Sequence, residues 1–291
     1  MGEKLGMIGL GKMGLALSKE FLADGHEMLG YDVDEGRMKM LEGLGGKRAA
    51  SAKEIAEQCD ITFSILLKEA HIEENTFGPN GIVAAGKKGL IHVEMSTMKP
   101  AFQADMGKRL ATTGIKMLDA PISGSHPRVA SRQISMMVGG VKEAFDRVYP
   151  ILDSITSSVV HMGENGKGAT MKVVTNLFVN SCTALICEML LTGRRAGLDD
   201  DAMMECLRAS TVKGTMLENA APRIMNRDWE ARGAVEIFVK DMGLAIDLAK
   251  ENGVELQVVP AARKMFQRAE AAGWGKDDAA RVFEVYEGKD K

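Results

Sequence analysis

A glycine-rich turn stands directly behind the first apolar run of the chain. Leu5–Ile8 is followed by Gly9-Leu10-Gly11-Lys12-Met13-Gly14 and then by a helical pattern over Leu15–Ala23. Few folds tolerate a strand that passes into a helix through G-x-G-x-x-G. The first glycine permits the tight turn, the second lets the backbone approach a pyrophosphate, and the third lets the helix pack closely on the strand. Helix amides at such a turn face bound phosphates. Asp32 ends the second apolar run, Glu27–Tyr31, and lies 18 residues past Gly14, close to the roughly 20 expected of a ribose-binding acid. A carboxylate there accepts hydrogen bonds from both ribose hydroxyls of NAD and repels the 2′-phosphate of NADP. NAD is therefore the expected cofactor and NADP the less favoured one, with Arg37 near enough in sequence to complicate the choice. The competing reading is that Asp32 or Asp34 merely caps the next helix.

The first 160 or so residues alternate short apolar runs with amphipathic stretches. Runs at Leu5–Ile8, Glu27–Tyr31, Ile61–Leu67, Leu90–Met95, Met117–Ile122, Ile134–Val138 and Val159–Met162 read as strands. Ser51-x-x-Glu54 has capping-box spacing, and Pro100 suits a first helical position. This alternation predicts an α/β domain, a Rossmann-type doubly wound and mostly parallel sheet. After Gly163 the pattern changes. A helix is predicted over Lys167–Arg195, with Gly197 as its stop, followed by helices near Asp200–Ala209, Leu217–Asn226, Val235–Glu251, Ala261–Ala272 and Asp277–Glu287. No convincing strand follows Met162. The expected domains are residues 1–163, binding the dinucleotide, and 164–291, an all-α substrate and oligomerisation domain joined through the long helix.

Composition sets outer limits. The chain has 291 residues, 45% hydrophobic and 26% charged, with a formal net charge of −3. That balance suits a globular protein with a real core and gives no reason to expect nucleic acid or an anionic membrane as partner. No apolar run approaches the roughly 18 residues of a membrane span, and no signal peptide is evident at the N-terminus. Cys59, Cys182, Cys187 and Cys206 lack C-x-x-C spacing and read as buried free thiols in a reducing cytoplasm. His26, His71, His92, His126 and His161 lack metal-ligand spacing, so no metal is expected.

A second motif, Gly168-x-x-x-Lys172-x-x-x-Asn176, opens the long helix and puts Lys172 and Asn176 on one face. Taken alone, Lys172 reads as an ordinary helix lysine that snorkels to solvent. In context it does not. Gly9–Gly14, Glu94-Met95-Ser96-Thr97-Met98-Lys99-Pro100, Asp119-Ala120-Pro121-Ile122-Ser123-Gly124, Gly168–Asn176 and Lys240-Asp241 occur in an order that resembles the β-hydroxyacid dehydrogenases, over nearly the whole chain. These include 3-hydroxyisobutyrate dehydrogenases, tartronate semialdehyde reductases and glyoxylate or succinic semialdehyde reductases.

The resemblance implies hydride transfer between NAD(H) and a small anionic 3-hydroxy acid or its semialdehyde, with Lys172 as acid/base. It implies that Ser123, Gly124 and Asn176 bind substrate, and that Gly9, Leu10, Gly11, Lys12, Met13, Gly14, Asp32, Leu66, Leu67, Thr97 and Lys240 bind cofactor. It is consistent with a homodimer or homotetramer packed through the apolar long helix. Several positions depart from the family pattern. Leu67 stands where a Pro is usual, Thr175 where many members carry Asn, and Gly233 where Phe is common. Ser125, Arg128 and Arg132 replace glycines in the loop after Gly124; two guanidiniums there could read a second anionic group, or form a solvated basic loop. The alternatives are an imine reductase of the same architecture, which usually lacks the lysine, and a catalytically silent dinucleotide-binding scaffold. A 6-phosphogluconate dehydrogenase would need a much longer all-α domain.

Overall fold

Among the described residues, nine strands hydrogen-bonded into one sheet organise the first half of the chain. The computed structural model describes residues 3–290 and divides into two compact units, Met1–Lys172 and Val173–Lys291. The sheet comprises β1 (Lys4–Ile8), β2 (Glu27–Tyr31), β3 (Lys47–Arg48), β4 (Ile61–Ser64), β5 (Ile91–Glu94), β6 (Lys116–Asp119), β7 (Ile122–Ser123), β8 (Ser135–Gly140) and β9 (Ser158–Gly163). Its order is β3-β2-β1-β4-β5-β6-β8-β7, with β9 also paired to β8. All strands through β6 pair in parallel, whereas β8 runs antiparallel to β6 and β7. Chain order reverses on the two sides of β1, and such a switch point opens a crevice at the carboxyl ends of the strands.

The crossovers are α1 (Lys12–Ala23), α2 (Glu35–Gly43), α3 (Ala52–Gln58), α4 (Glu69–Phe77), α5 (Pro100–Ala111) and α6 (Lys142–Ser154). Period-two alternation separates two cores. Leu5 and Met7 join Leu17, Phe21, Phe63 and Leu118 in one cluster; Ile8 joins Leu29, Ile55, Cys59 and Met117 in the other. Both faces of the sheet are covered, which is why β4 and β5 are buried at every residue. Phe21 and Phe63 stack at 5.0 Å between ring centroids, and burial of each such side chain contributes about 1.5–3 kcal/mol.

Strand bounds shift by one or two residues elsewhere, and three larger differences have a local cause. The run Met117–Ile122 divides into β6 and β7 around Pro121, which has no amide to continue a ladder. The run beginning at Ile61 stops at Ser64, because the Leu66 amide donates to the Ser96 hydroxyl (2.8 Å) and leaves the ladder. Two-residue β3 went unread because Lys47 and Arg48 are both exposed and polar.

The long helix α7 (Lys167–Arg195) has the expected bounds, and Gly197 behind it has φ +84°. By length and composition alone α7 could cross a membrane: an 18-residue window has mean hydropathy 1.5 and is 44% buried within the protein. Thr170, Thr175, Asn176, Asn180, Ser181 and Thr183 interrupt its apolar residues, so no long apolar run marks it in the sequence. Core helices of water-soluble folds carry the same signature, and Asn176, Asn180 and Thr183 are buried on α7. Beyond it lie α8 (Asp200–Ala209), α9 (Thr215–Asn226), α10 (Val235–Glu251), α11 (Val258–Ala269) and α12 (Val282–Tyr286). Cys187, Leu190, Met204, Ile224, Phe266 and Phe283 form their shared core. Helix α11 starts three residues earlier than expected because Pro260 falls in the first turn, where its missing amide costs nothing. The last helix begins as a 3-10 turn, Ala279–Arg281. Of the four thiols, Cys59 and Cys187 are buried, Cys182 is half-buried and Cys206 is exposed, against the expectation of four buried ones.

Asp278 ties the second unit together. Its carboxylate accepts from the amides of Arg232 (2.9 Å), Gly233 (3.3 Å) and Ala280 (3.1 Å), and pairs with the Arg223 guanidinium. Asp278→Ala strands a buried cation and three amides. Denaturant unfolding should show a loss of about 3–5 kcal/mol, whereas Glu230→Ala, at an exposed position, should cost less than about 0.5 kcal/mol.

Candidate active site

The carboxyl ends of β1, β2, β4 and β5 converge at one edge of the sheet and bring most of the predicted cofactor residues together. Gly9 has φ +92°, and its amide donates to the Tyr31 carbonyl (2.9 Å). A side chain at Gly14 would collide with the Gly9 carbonyl oxygen, so this glycine sets the approach of α1 to β1. Gly11 differs from both: a Cβ there meets nothing within 4 Å. No side chain caps α1, and no acidic residue occupies its first turn, so its positive end remains available to an anion. The cradle fits a dinucleotide pyrophosphate.

Asp32 is fixed beside this turn. Its Oδ2 accepts from the Leu10 amide (2.7 Å) and from Arg37 Nη1 (3.3 Å), and its Oδ1 accepts from the Asp34 amide (2.9 Å). Capping of α2 is performed by Asp34, whose side chain accepts from the Gly36 and Arg37 amides. Asp32 is thus not the cap. Leu66 is half-buried and Leu67 is 72% exposed in the loop after β4, with Thr97 half-buried in the loop after β5. Lys12 is exposed and Met13 half-buried in the first turn of α1.

Two buried acids without a direct role in the sequence reading lie at the same edge. Glu94 ends β5 and pairs in register with Asp119 at the end of β6. Burial pushes the Glu94 carboxyl up to about 7, against hydrogen bonds from Ser64 and Ser96. Asp119 is raised as well, chiefly by burial, although the amides of Ala169 and Gly166 and the side chain of Asn165 oppose the shift. Those amides explain Asp119. Its Oδ1 accepts from Gly166 N (2.8 Å) and its Oδ2 from Ala169 N (2.8 Å), so the carboxylate clamps the first turn of α7 to the sheet. Gly168 makes the clamp possible, since a Cβ there would strike the Met137 carbonyl and lie 2.5 Å from the Asp119 carbonyl. Lys172 follows in the second turn, half-buried. The signal in the sequence was an acid closing a buried strand, read there only as part of a motif.

The remaining predicted residues are on other elements. Ser123 is on β7, opposite Ser135 of β8, and Gly124 follows with φ +128°. In the second unit Asn176 is buried and donates through Nδ2 to Asp241 Oδ2 (2.8 Å), while Lys240 pairs with Asp241 Oδ1 (3.4 Å). Arg132 has φ +53° and binds Asp24 (2.6 Å), at the end of α1 opposite the glycine turn. Its charge is directed away from the phosphate cradle.

Comparison with known proteins agrees with this geometry. Residues 4–163 match the family described as the NAD binding domain of 6-phosphogluconate dehydrogenase, and residues 166–286 the one described as NAD-binding of NADP-dependent 3-hydroxyisobutyrate dehydrogenase. An L-threonate dehydrogenase from Cupriavidus necator is 32% identical over 99% of this chain and 97% of its own length. A 2-(hydroxymethyl)glutarate dehydrogenase from Eubacterium barkeri is 30% identical over 98% and 95%. The chain belongs to the β-hydroxyacid dehydrogenase family. A solved structure of 3-hydroxyisobutyrate dehydrogenase from Salmonella typhimurium superposes with a TM-score of 0.89 at 30% identity, covering 97% of this chain and 99% of that one. As a β-hydroxyacid dehydrogenase, the protein is an NAD(P)-dependent oxidoreductase acting on CH–OH groups.

The glycines of this dehydrogenase separate by experiment. Gly168→Ala should lower unfolding stability by about 1–3 kcal/mol through overpacking. Gly11→Ala should leave stability within about 0.5 kcal/mol yet weaken NADH binding by tenfold or more, measured by fluorescence titration, because its methyl occupies the pyrophosphate's space.

Proposed function

We propose that this chain interconverts a small 3-hydroxy acid and its semialdehyde with NAD(H), and that Lys172 is the acid/base. The observation that carries the reading is the Asp119 clamp. Lys172 stands five residues past the start of α7, about 7–8 Å along the axis at 1.5 Å per residue. Its backbone is thereby held within two helical turns of the carboxyl end of β6. A bound nicotinamide would supply the hydride acceptor or donor. Lys172 takes the hydroxyl proton in oxidation and returns it to the carbonyl oxygen in reduction, its positive charge stabilising the developing alkoxide. The Ser123 hydroxyl and the Gly124 amide bind the substrate carboxylate. Asn176 holds the reacting oxygen, its amide oriented by Asp241, and Lys240 reaches over the cofactor.

The preference proposed is for NAD. Arg37 is committed to Asp32 and Asp34 (3.3 and 3.6 Å), and two carboxylates against one guanidinium leave net negative charge where a 2′-phosphate would lie. The unpaired thiols suit a reducing cytoplasm. A second copy of the chain is the proposed cover for Val174, Phe178 and Leu185, an exposed apolar stripe on α7.

NADH absorbance should be followed against L-threonate, 2-(hydroxymethyl)glutarate, 3-hydroxyisobutyrate, glyoxylate and succinic semialdehyde. Lys172→Ala should lower kcat by about 10²–10⁴-fold with NADH affinity unchanged. Undiminished turnover in the variant would sink the acid/base role; NADH binding with no turnover by the wild type would favour the scaffold. Asp32→Asn should raise the NADP-to-NAD preference by about tenfold, the worth of roughly 1.4 kcal/mol. Phe178→Glu should shift sedimentation toward the monomer, and an already monomeric wild type would exclude the oligomer.

A further inference from the structure

A chain of four buried polar side chains lies under the dinucleotide edge, and the catalytic proposal uses none of them. Thr62 and Ser64 stand on β4, and His92 and Glu94 on β5, in register with them. All four are 2% exposed or less. Thr62 Oγ1 lies 2.9 Å from His92 Nδ1, Ser64 Oγ lies 3.1 Å from His92 Nε2, and the Ser64 hydroxyl also meets Glu94 Oε2. The other carboxyl oxygen, Oε1, accepts from the Ser96 amide (2.6 Å), and the Ser96 hydroxyl accepts from the Leu66 amide (2.8 Å). Glu94 thus reaches both loops that carry predicted cofactor contacts, Leu66-Leu67 and Thr97.

We propose that Glu94 is a positioning residue for the dinucleotide edge, bracing these two loops through Ser96, and that its protonation reverses the hydrogen-bond polarity of the Ser64–His92–Thr62 relay and alters cofactor affinity. The proposal rests on the reading that these loops hold the cofactor. With Glu94 ionised, the Ser64 hydroxyl donates to Oε2, His92 Nε2–H donates to Ser64, and the Thr62 hydroxyl donates to Nδ1. With Glu94 protonated, Oε2–H donates to Ser64, the Ser64 hydroxyl donates to Nε2, and Nδ1–H donates to Thr62. Each contact keeps one donor and one acceptor in both states. One proton is gained overall, at Glu94, and His92 carries a single ring proton throughout. Burial holds His92 down to about 4, so it remains neutral while Glu94 titrates.

The titratable groups facing Glu94 are His92 on its own strand and Asp119 on β6; its β4 neighbours, Thr62 and Ser64, and Ser96 are neutral. Burial dominates the shift, with Asp119 a smaller contribution in the same direction. An ionised Glu94 adds negative charge at the edge that receives the phosphates, so affinity falls as pH rises through the neutral range. Reciprocally, bound dinucleotide favours the protonated form.

The test uses the full-length protein. His92 ring-nitrogen shifts are followed by NMR, and NADH affinity by fluorescence, across about two pH units on either side of neutrality. In the wild type His92 should pass from the Nδ1–H to the Nε2–H form as pH rises, and NADH should bind about fivefold more weakly, the low end of ordinary coupling. Glu94→Gln retains an acceptor for Ser96 and always donates to Ser64. It should lock His92 as Nδ1–H and flatten the affinity profile. Ser64→Ala should uncouple His92 while leaving the pH response of NADH binding. If NADH binds and His92 keeps one tautomer throughout, the relay is overturned; parallel NADH profiles in wild type and Glu94→Gln overturn the affinity role. No NADH binding by the wild type at any pH overturns the cofactor reading and the brace with it, whereas the tautomer still reports the relay.

Discussion

The Asp119 carboxylate receives the amide of Gly166, just before a 29-residue helix, and that of Ala169 in its first turn. One side chain thereby satisfies donors that a helix start leaves open and places negative charge at the positive end of the dipole. Both partners are buried, so the bonds cannot be exchanged for water without leaving unpaired polar groups. The opening turns of α7, up to Lys172, take their position from this contact. The neighbouring Gly139 and Gly168 leave the necessary room, because a Cβ on either would meet backbone or the Asp119 carboxylate itself.

A second constraint is the shortage of volume at the sheet edge. Gly9, Gly14 and Gly168 answer to contacts within the protein, whereas Gly11 answers to none. At Gly11, beside the uncapped start of α1, that open space suits a ligand's phosphate. The acids at this edge have correspondingly different partners. Asp32 binds amides and Arg37, Asp119 binds a helix terminus, and Glu94 is held largely by neutral groups. Their chemistry follows from those partners more than from the residue type.

Much of the fold could be read from the amino acids. The helices Lys167–Arg195, Asp200–Ala209 and Val235–Glu251 and the strand Glu27–Tyr31 have the bounds expected from periodicity and stop signals. Boundaries moved where a local chemical event overruled the pattern. Pro121 divided one apolar run into two strands, and the Leu66 amide left its strand for Ser96. β3 was invisible because an edge strand of two charged residues has no apolar periodicity to read. In the candidate site, the glycine turn and Asp32 were legible because their spacing is dictated by one ligand. Glu94 and Asp119 appeared only as motif letters, because what they do depends on partners 30 to 50 residues away.

The sequence alone determined the dinucleotide turn, the strand–helix alternation and the change to an all-α second half, because each is written in spacings of a few residues along one element. Tertiary structure alone decided that Asp34 caps α2 while Asp32 faces the turn, and that Arg132 is spent on Asp24. It also decided that Glu94, His92, Ser64 and Thr62 share one relay. Those facts depend on parallel strand register and on burial. Register brings distant residues opposite one another, and burial removes the water that would otherwise satisfy each polar group separately.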